Sequence, residues 1–242
     1  MMLKRLLAMK FFYEYVTNFV PWLSLFSALT MIPAIIAILH APTDYQQGEV
    51  YRILYIHVPC AAFSLGCYAA MGLCSAAYLV FRVRLLDVFH SALSKVGCGL
   101  TLCALVTGSI WGKPTWGAWW VWDARLTSEF ILLLLFILII QLRAHYKDEK
   151  KAAIIVGAIT LIGLIDLPII HFSVDWWFTL HQKATVLKLT KPSMPNEMLW
   201  PLGVMAIALA MSFLTLFIRF ALQDIQRRLR NDRLIQSMLM RK

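Results

Sequence analysis

The chain has 242 residues, 60% hydrophobic and 15% charged, with a formal net charge of +10; its mean hydropathy is +0.70. A soluble globular domain carries roughly 45–50% apolar and about 25% charged residues, so this composition excludes an ordinary soluble domain and reads as an integral membrane protein. The positive charge does not mark a nucleic-acid binder: Lys and Arg are confined to short segments between apolar runs, the distribution of membrane topology rather than of a phosphate-binding face.

A membrane-spanning helix needs about 20 mostly apolar residues. Six runs meet that length: 20–40, 57–80, 94–111, 128–145, 152–171 and 200–220. The segments between them are short, so 1–242 is expected to form a single all-α membrane domain without a soluble module. Residues 1–20 are basic, and no small-residue cleavage site follows the first run, which predicts that this span is retained. Cys60, Cys67, Cys74, Cys98 and Cys103 all fall inside apolar runs and form no CxxC. They are expected to act as small packing residues, since thiol exchange needs an accessible thiolate. Asp166, beside Pro168, is the one acid well inside a run. It is expected to cap a broken helix end, pair with a basic group or serve the site directly. Residues 222–242 have the pattern of a basic amphipathic helix lying on the anionic inner leaflet. The chain contains no Walker-type glycine loop, and its runs contain no ladder of charges such as a proton-coupled transporter uses.

Counting Lys and Arg orients the spans. The side with both termini and the loops 81–93 and 146–151 holds 17, the other side 6 (Arg52, Lys113, Arg125, Lys183, Lys188 and Lys191). The positive-inside rule therefore predicts cytoplasmic termini, with segments 41–56, 112–127 and 172–199 facing outward. Eight of the nine tryptophans and four of the six histidines (His40, His57, His171 and His181) fall on this outward side. His90 and His145 fall in basic loops and read as ordinary surface residues.

The outward segment 111–128 reads Trp-Gly-Lys-Pro-Thr-Trp-Gly-Ala-Trp-Trp-Val-Trp-Asp-Ala-Arg-Leu-Thr-Ser. Tryptophans at a membrane edge can form a simple interfacial belt, but a belt has no use for Gly-Lys-Pro-Thr, a second Trp-Gly or Trp-Asp-Ala-Arg. These residues predict a shaped platform for a large planar ligand, and haem suits it. Trp116, Trp119, Trp120 and Trp122 offer stacking surfaces. Lys113 and Arg125 suit propionates, Arg bidentately. Gly112 and Gly117 permit tight turns, and Asp123 is placed to orient a tryptophan N–H, pair with Arg125 or cap the next helix.

Iron would take axial ligands from imidazoles. His57, in Tyr-Ile-His-Val-Pro, opens the second span at its outer end; His181, in Leu-His-Gln, lies between spans five and six. Taken singly, each is equally a hydrogen-bonded interfacial histidine. With the tryptophan segment between them on the same side, they become candidate ligands gripping one iron from opposite faces. His171 ends span five and is a weaker candidate, and His40 reads as a loop residue.

The 111–128 segment, with Trp111 at its start, resembles the tryptophan-rich WWD motif of haem-handling proteins. Within that group the chain is similar to the haem exporter protein C (CcmC) family of cytochrome c maturation, across its size, six spans and motif position. Larger relatives, CcmF and CcsA, carry more spans or extra domains. The resemblance implies a non-enzymatic haem-binding protein (haem b) of the bacterial inner membrane, multi-pass, with its site facing the periplasm. It implies axial ligation by the histidines of a His-Val-Pro and a Leu-His-Gln motif, here His57 and His181. It also implies delivery to the haem chaperone CcmE in company with CcmA, CcmB and CcmD. A transmembrane haem permease subunit of an ABC-type complex is the alternative.

Overall fold

The computed structural model describes residues 2–182 and 193–239, with side chains from Met9 to Gln182 and from Ser193 to Asn231. These residues form eight α-helices in order: α1 (Met2–Thr17), α2 (Val20–His40), α3 (Leu54–Phe81), α4 (Arg84–Trp116), α5 (Ala124–His145), α6 (Glu149–Gly163), α7 (Asp166–Trp176) and α8 (Asn196–Leu239). A short 3-10 turn, Glu49–Ile53, leads into α3. Among the described residues there is no strand. Six stretches among the described residues are long and apolar enough to cross a membrane, as expected: Val20–His40, Glu49–Phe81, Arg84–Trp116, Ala124–His145, Glu149–Trp176 and Asn196–Asn231. Lys183, Lys188 and Lys191, together with Arg241 and Lys242, lie outside the described residues.

Helix α4 is the hub, packing against α3, α5 and α8, while α2 runs along α8. The main core gathers Tyr68 and Met71 of α3, Leu132, Phe136 and Ile139 of α5, Val156 of α6 and Ile170 of α7. A second cluster, Ala34, Met205 and Ala208, holds α2 to α8. The opposite face of α2 (Leu25, Leu29, Ile32 and Ile36) is exposed, as a lipid-facing stripe must be.

The fifth span is broken. α6 ends at Gly163 and α7 begins at Asp166, because Pro168 has no N–H to donate to the Leu164 carbonyl. Asp166 is the first residue of α7, but Ile165 holds the N-cap position and no side chain caps this helix end, so the expected cap is not formed. Asp166 is buried, and its Oδ2 has no partner among the described residues.

Three expectations are corrected. The 81–93 segment is not a loop: only Arg82 and Val83 separate α3 from α4. His90 therefore lies in α4 and is buried at 2% exposure, bonded at Nε2 to Thr160 Oγ1 (2.8 Å) and at Nδ1 to Arg143 Nη2 (2.9 Å). Polar residues at that density look like a loop, but here they satisfy one another. Nor does the chain from Leu222 begin a separate surface helix. α8 continues unbroken to Leu239, and Ala221, Leu222 and Ile225 are buried; Ala221 and Ile225 cluster with Met9, Val88 and Ala92. Over the described side chains, the apolar face of this stretch is turned into the fold.

Candidate functional site: a histidine and tryptophan cleft

The cleft lies at the end of the bundle where α3 and α5 begin and α4 ends. Its wall includes His57, His181, Trp111, Trp116, Trp120 and Arg125. Helix α4 supplies one side. Ala104, Gly108, Trp111 and Thr115 line the cleft and recur at i, i+4, i+7 and i+11, a single helical face. The tryptophan segment is therefore half helix. Trp111, Lys113 and Trp116 sit on the last turns of α4, which Gly117 closes with φ +79°, a conformation suited to glycine. Lys113 turns its Nζ onto the Gly117 carbonyl (3.1 Å) and caps the helix instead of lining the cleft.

His57 stands in the first turn of α3 with its Nδ1 3.0 Å from the Ala104 carbonyl and 3.2 Å from Thr107 Oγ1. A carbonyl only accepts, so Nδ1 carries the proton and Nε2 keeps its lone pair. A Cβ at position 108 would lie 3.0 Å from His57 Cε1; Gly108 is the space in which the ring sits.

His181 reaches the cleft from the segment after α7. Its Nδ1 faces the Gln182 carbonyl at 3.2 Å, which again leaves Nε2 unprotonated. Burial, with the Arg125 charge second, lowers its pKa to about 4, so the imidazole is neutral at physiological pH. Asp123 fixes this segment. Its Oδ1 accepts the Leu126 N–H (2.8 Å) as the N-cap of α5, while its Oδ2 accepts the Thr179 hydroxyl. Thr179 Oγ1 in turn accepts the His181 N–H at 3.1 Å. One carboxylate thus starts a helix and holds a histidine loop.

The two imidazoles face one another with ring centroids 6.2 Å apart and planes 32° apart. Metal–imidazole bonds of about 2 Å on either side of one ion place ring centroids roughly 6 Å apart. Each histidine has a tryptophan neighbour: Trp111 beside His57 (5.7 Å) and Trp116 beside His181 (5.9 Å). Trp111 Nε1 donates to Gln47 Oε1 at 2.7 Å. Trp120 Nε1 is buried with no partner among the described residues. Arg125 lines the cleft and donates from Nη1 to the Ile170 carbonyl (3.1 Å). One turn on, Glu129 also lines the cleft and accepts from Ser64 Oγ at 3.2 Å.

A family model described as "Heme exporter protein C" (CcmC) matches residues 2–236. The chain belongs to the haem exporter protein C family. Among its relatives, "Heme exporter protein C" of Escherichia coli (strain K12) is 45% identical over 184 residues, 75% of each chain. The protein of that name in Bradyrhizobium diazoefficiens is 41% identical over 218 residues, 90% of this chain and 83% of the relative. A ccmC-like mitochondrial protein of Marchantia polymorpha, named as putatively involved in cytochrome c biosynthesis, is 47% identical over 158 residues, 65% of this chain and 67% of the relative.

Of the residues singled out in the sequence, the cleft brings together His57, His181, Trp111, Trp116, Trp120 and Arg125. Trp119 and Trp122 are 57% and 74% exposed and do not line it. Asp123 acts from behind, and Lys113 at the helix end. His171 is exposed against Phe172, and His40 bonds back to its own helix. Gln47, Thr107, Gly108, Glu129 and Thr179 were not picked out as site residues. Only Gly108 left a trace, in the small-residue spacing of Ala104 and Gly108 before Trp111.

Proposed function

We propose that this protein binds haem at the cleft and hands it on during c-type cytochrome maturation. The observation that carries the reading is the facing pair His57 and His181, each holding its Nδ1 proton on a backbone carbonyl. That arrangement is how metal-ligating histidines are commonly oriented. The donor set fits a porphyrin: two neutral imidazoles for iron, indole faces of Trp111, Trp116 and Trp120 for the macrocycle, Arg125 for a propionate, and the unpartnered Trp120 N–H for a polar edge. Haem b is the cargo that needs no covalent tether.

Trp119 and Trp122 project from the same segment with large exposed faces. They suit contact with a receiving protein, the haem chaperone CcmE, with CcmA, CcmB and CcmD as further members of the assembly. The site then faces the periplasm, as the 17 to 6 division of cations supports. Display suits the fold better than conduction, because Cys60, Val96, Leu100 and Ala104 pack into an apolar cluster at and below the cleft floor.

The test is the absorption spectrum of the purified chain beside its His57→Ala and His181→Ala variants. The expected result is a Soret band in the parent that shifts or disappears in both variants. A parent without the band when produced with ample haem and its partners, or variants with an unchanged spectrum, overturns the reading.

A further inference from the structure

At the opposite end of the bundle a second cleft opens between α4, α5, α6 and α8. Its charged lining is Lys95, Arg143, Lys147, Arg227 and Arg228 against the single carboxylate of Glu149. Behind the lining, Asp87 holds Arg143 (2.5 Å) and Arg228 (2.8 Å), and Asp224 also binds Arg228 (2.9 Å). These pairs fix the two guanidinium groups without neutralising the cleft: five cations face three carboxylates in all. Lys95 lies over the Phe220 ring at 5.2 Å. Lys147 carries no ion pair among the described residues. The Arg143 Nε is buried and has no partner among them either.

The cleft also has an apolar side. Ile140 and Ala144 of α5 line it. Three and six residues before Ile140 on α5, Ile137 and Leu134 are exposed, at 40% and 47%, on an i−3 row that winds from the cleft onto the outside of the helix. A basic hollow at the end of the spans therefore continues into an apolar track along the outside of the bundle. A soluble anion would use the first feature only. An amphiphile with an acidic head and a hydrocarbon tail would use both.

We propose that this cleft binds an acidic phospholipid, its phosphate among Lys95, Lys147 and Arg143 and its acyl chain along Ile137 and Leu134. Basic pockets between helices at the level of the headgroups suit anionic lipid. The site is independent of the haem reading, since it shares no residue with the histidine cleft.

The experiment is native mass spectrometry of the detergent-purified full chain, titrated with phosphatidylglycerol or phosphatidylcholine. Phosphatidylglycerol is expected to bind at least about tenfold tighter. The Lys95→Gln/Lys147→Gln double variant leaves the Asp87 pairs intact and is expected to lose most of that preference. Ile137→Asn touches no charge and is expected to weaken both lipids, which keeps the proposal testable should the double variant fold poorly. Equal affinity for the two lipids, or an undiminished preference in the folded double variant, overturns it. Complete displacement of lipid by inorganic phosphate would overturn it too, by making the ligand a soluble anion.

Discussion

The two ends of the bundle use buried polar residues in opposite ways. At the histidine end, His57 and His181 each commit one ring nitrogen to the scaffold and leave the other with its lone pair. At the other end, Asp87, Arg143, Arg228 and Asp224 commit their charges largely to one another. Buried charges without partners cost several kcal/mol, so the second arrangement is mutual satisfaction, while the first is reserved capacity. A polar cluster in a membrane protein therefore suggests a site according to what its groups leave unspent, not according to their number.

If that contrast holds, removing one member should have different consequences at each end. The largest effect is expected for Asp87→Ala, which takes from Arg143 its carboxylate partner and from the buried Arg228 one of the two that hold it most closely. A loss of roughly 3–5 kcal/mol is expected for a broken buried pair, read as a large fall in melting temperature in detergent. An unchanged melting temperature would mean that the ion cluster does not hold α4, α5 and α8 together.

At the histidine end the expected loss is of ligand, not of fold. Asp123→Ala and Thr179→Val each release the His181 segment, and outer-sphere partners of metal ligands typically contribute about 10–100-fold in affinity. Haem content should fall by that order in both. Thr179→Val should melt normally, whereas Asp123→Ala also loses a helix cap, about 1 kcal/mol. Asp123→Asn has one carbonyl oxygen for two tasks and should lie between the parent and the alanine variant. Equal haem content in parent and Thr179→Val would detach Asp123 from His181.

Acid should reveal His181 itself. Its pKa in the folded protein is about 4, against 6.5 ordinarily. As pH falls through 6.5 the unfolded chain takes up a proton that the folded ring declines until about pH 4. Stability should therefore decline with pH across that window and be unaffected by this group above it. The difference in melting temperature between parent and His181→Gln, followed from pH 7 to 4, should narrow by that amount. A constant difference would place the imidazole in an ordinary solvated setting.

The smallest effect is expected for Gly108→Ala. The added methyl would meet His57 Cε1 at 3.0 Å, so the ring must shift by a few tenths of an ångström. Weaker haem retention with an unaltered melting temperature is expected. An unaltered Soret band would show that the ring has slack.

How far the sequence reached differs between fold and site. Six spans were legible because about 20 apolar residues are required to cross hydrocarbon and few other structures need them. The break near Asp166 was legible through Pro168. The loop assigned to 81–93 was not: Asp87 and His90 look solvent-facing until Arg143, Thr160 and Arg228 arrive from three other helices. The same limit applied at the cleft. Residue type and side of the membrane pointed to His57, His181 and the tryptophans. Which tryptophans turn inward, that Lys113 closes a helix, and that Asp123 reaches His181 through Thr179 depended on contacts between residues 56 apart. Composition and spacing carry information about what a helix must bury along its own length. Where a polar side chain finds its partner is settled only when distant segments pack, because a hydrogen bond depends on position within tenths of an ångström and no local pattern encodes that.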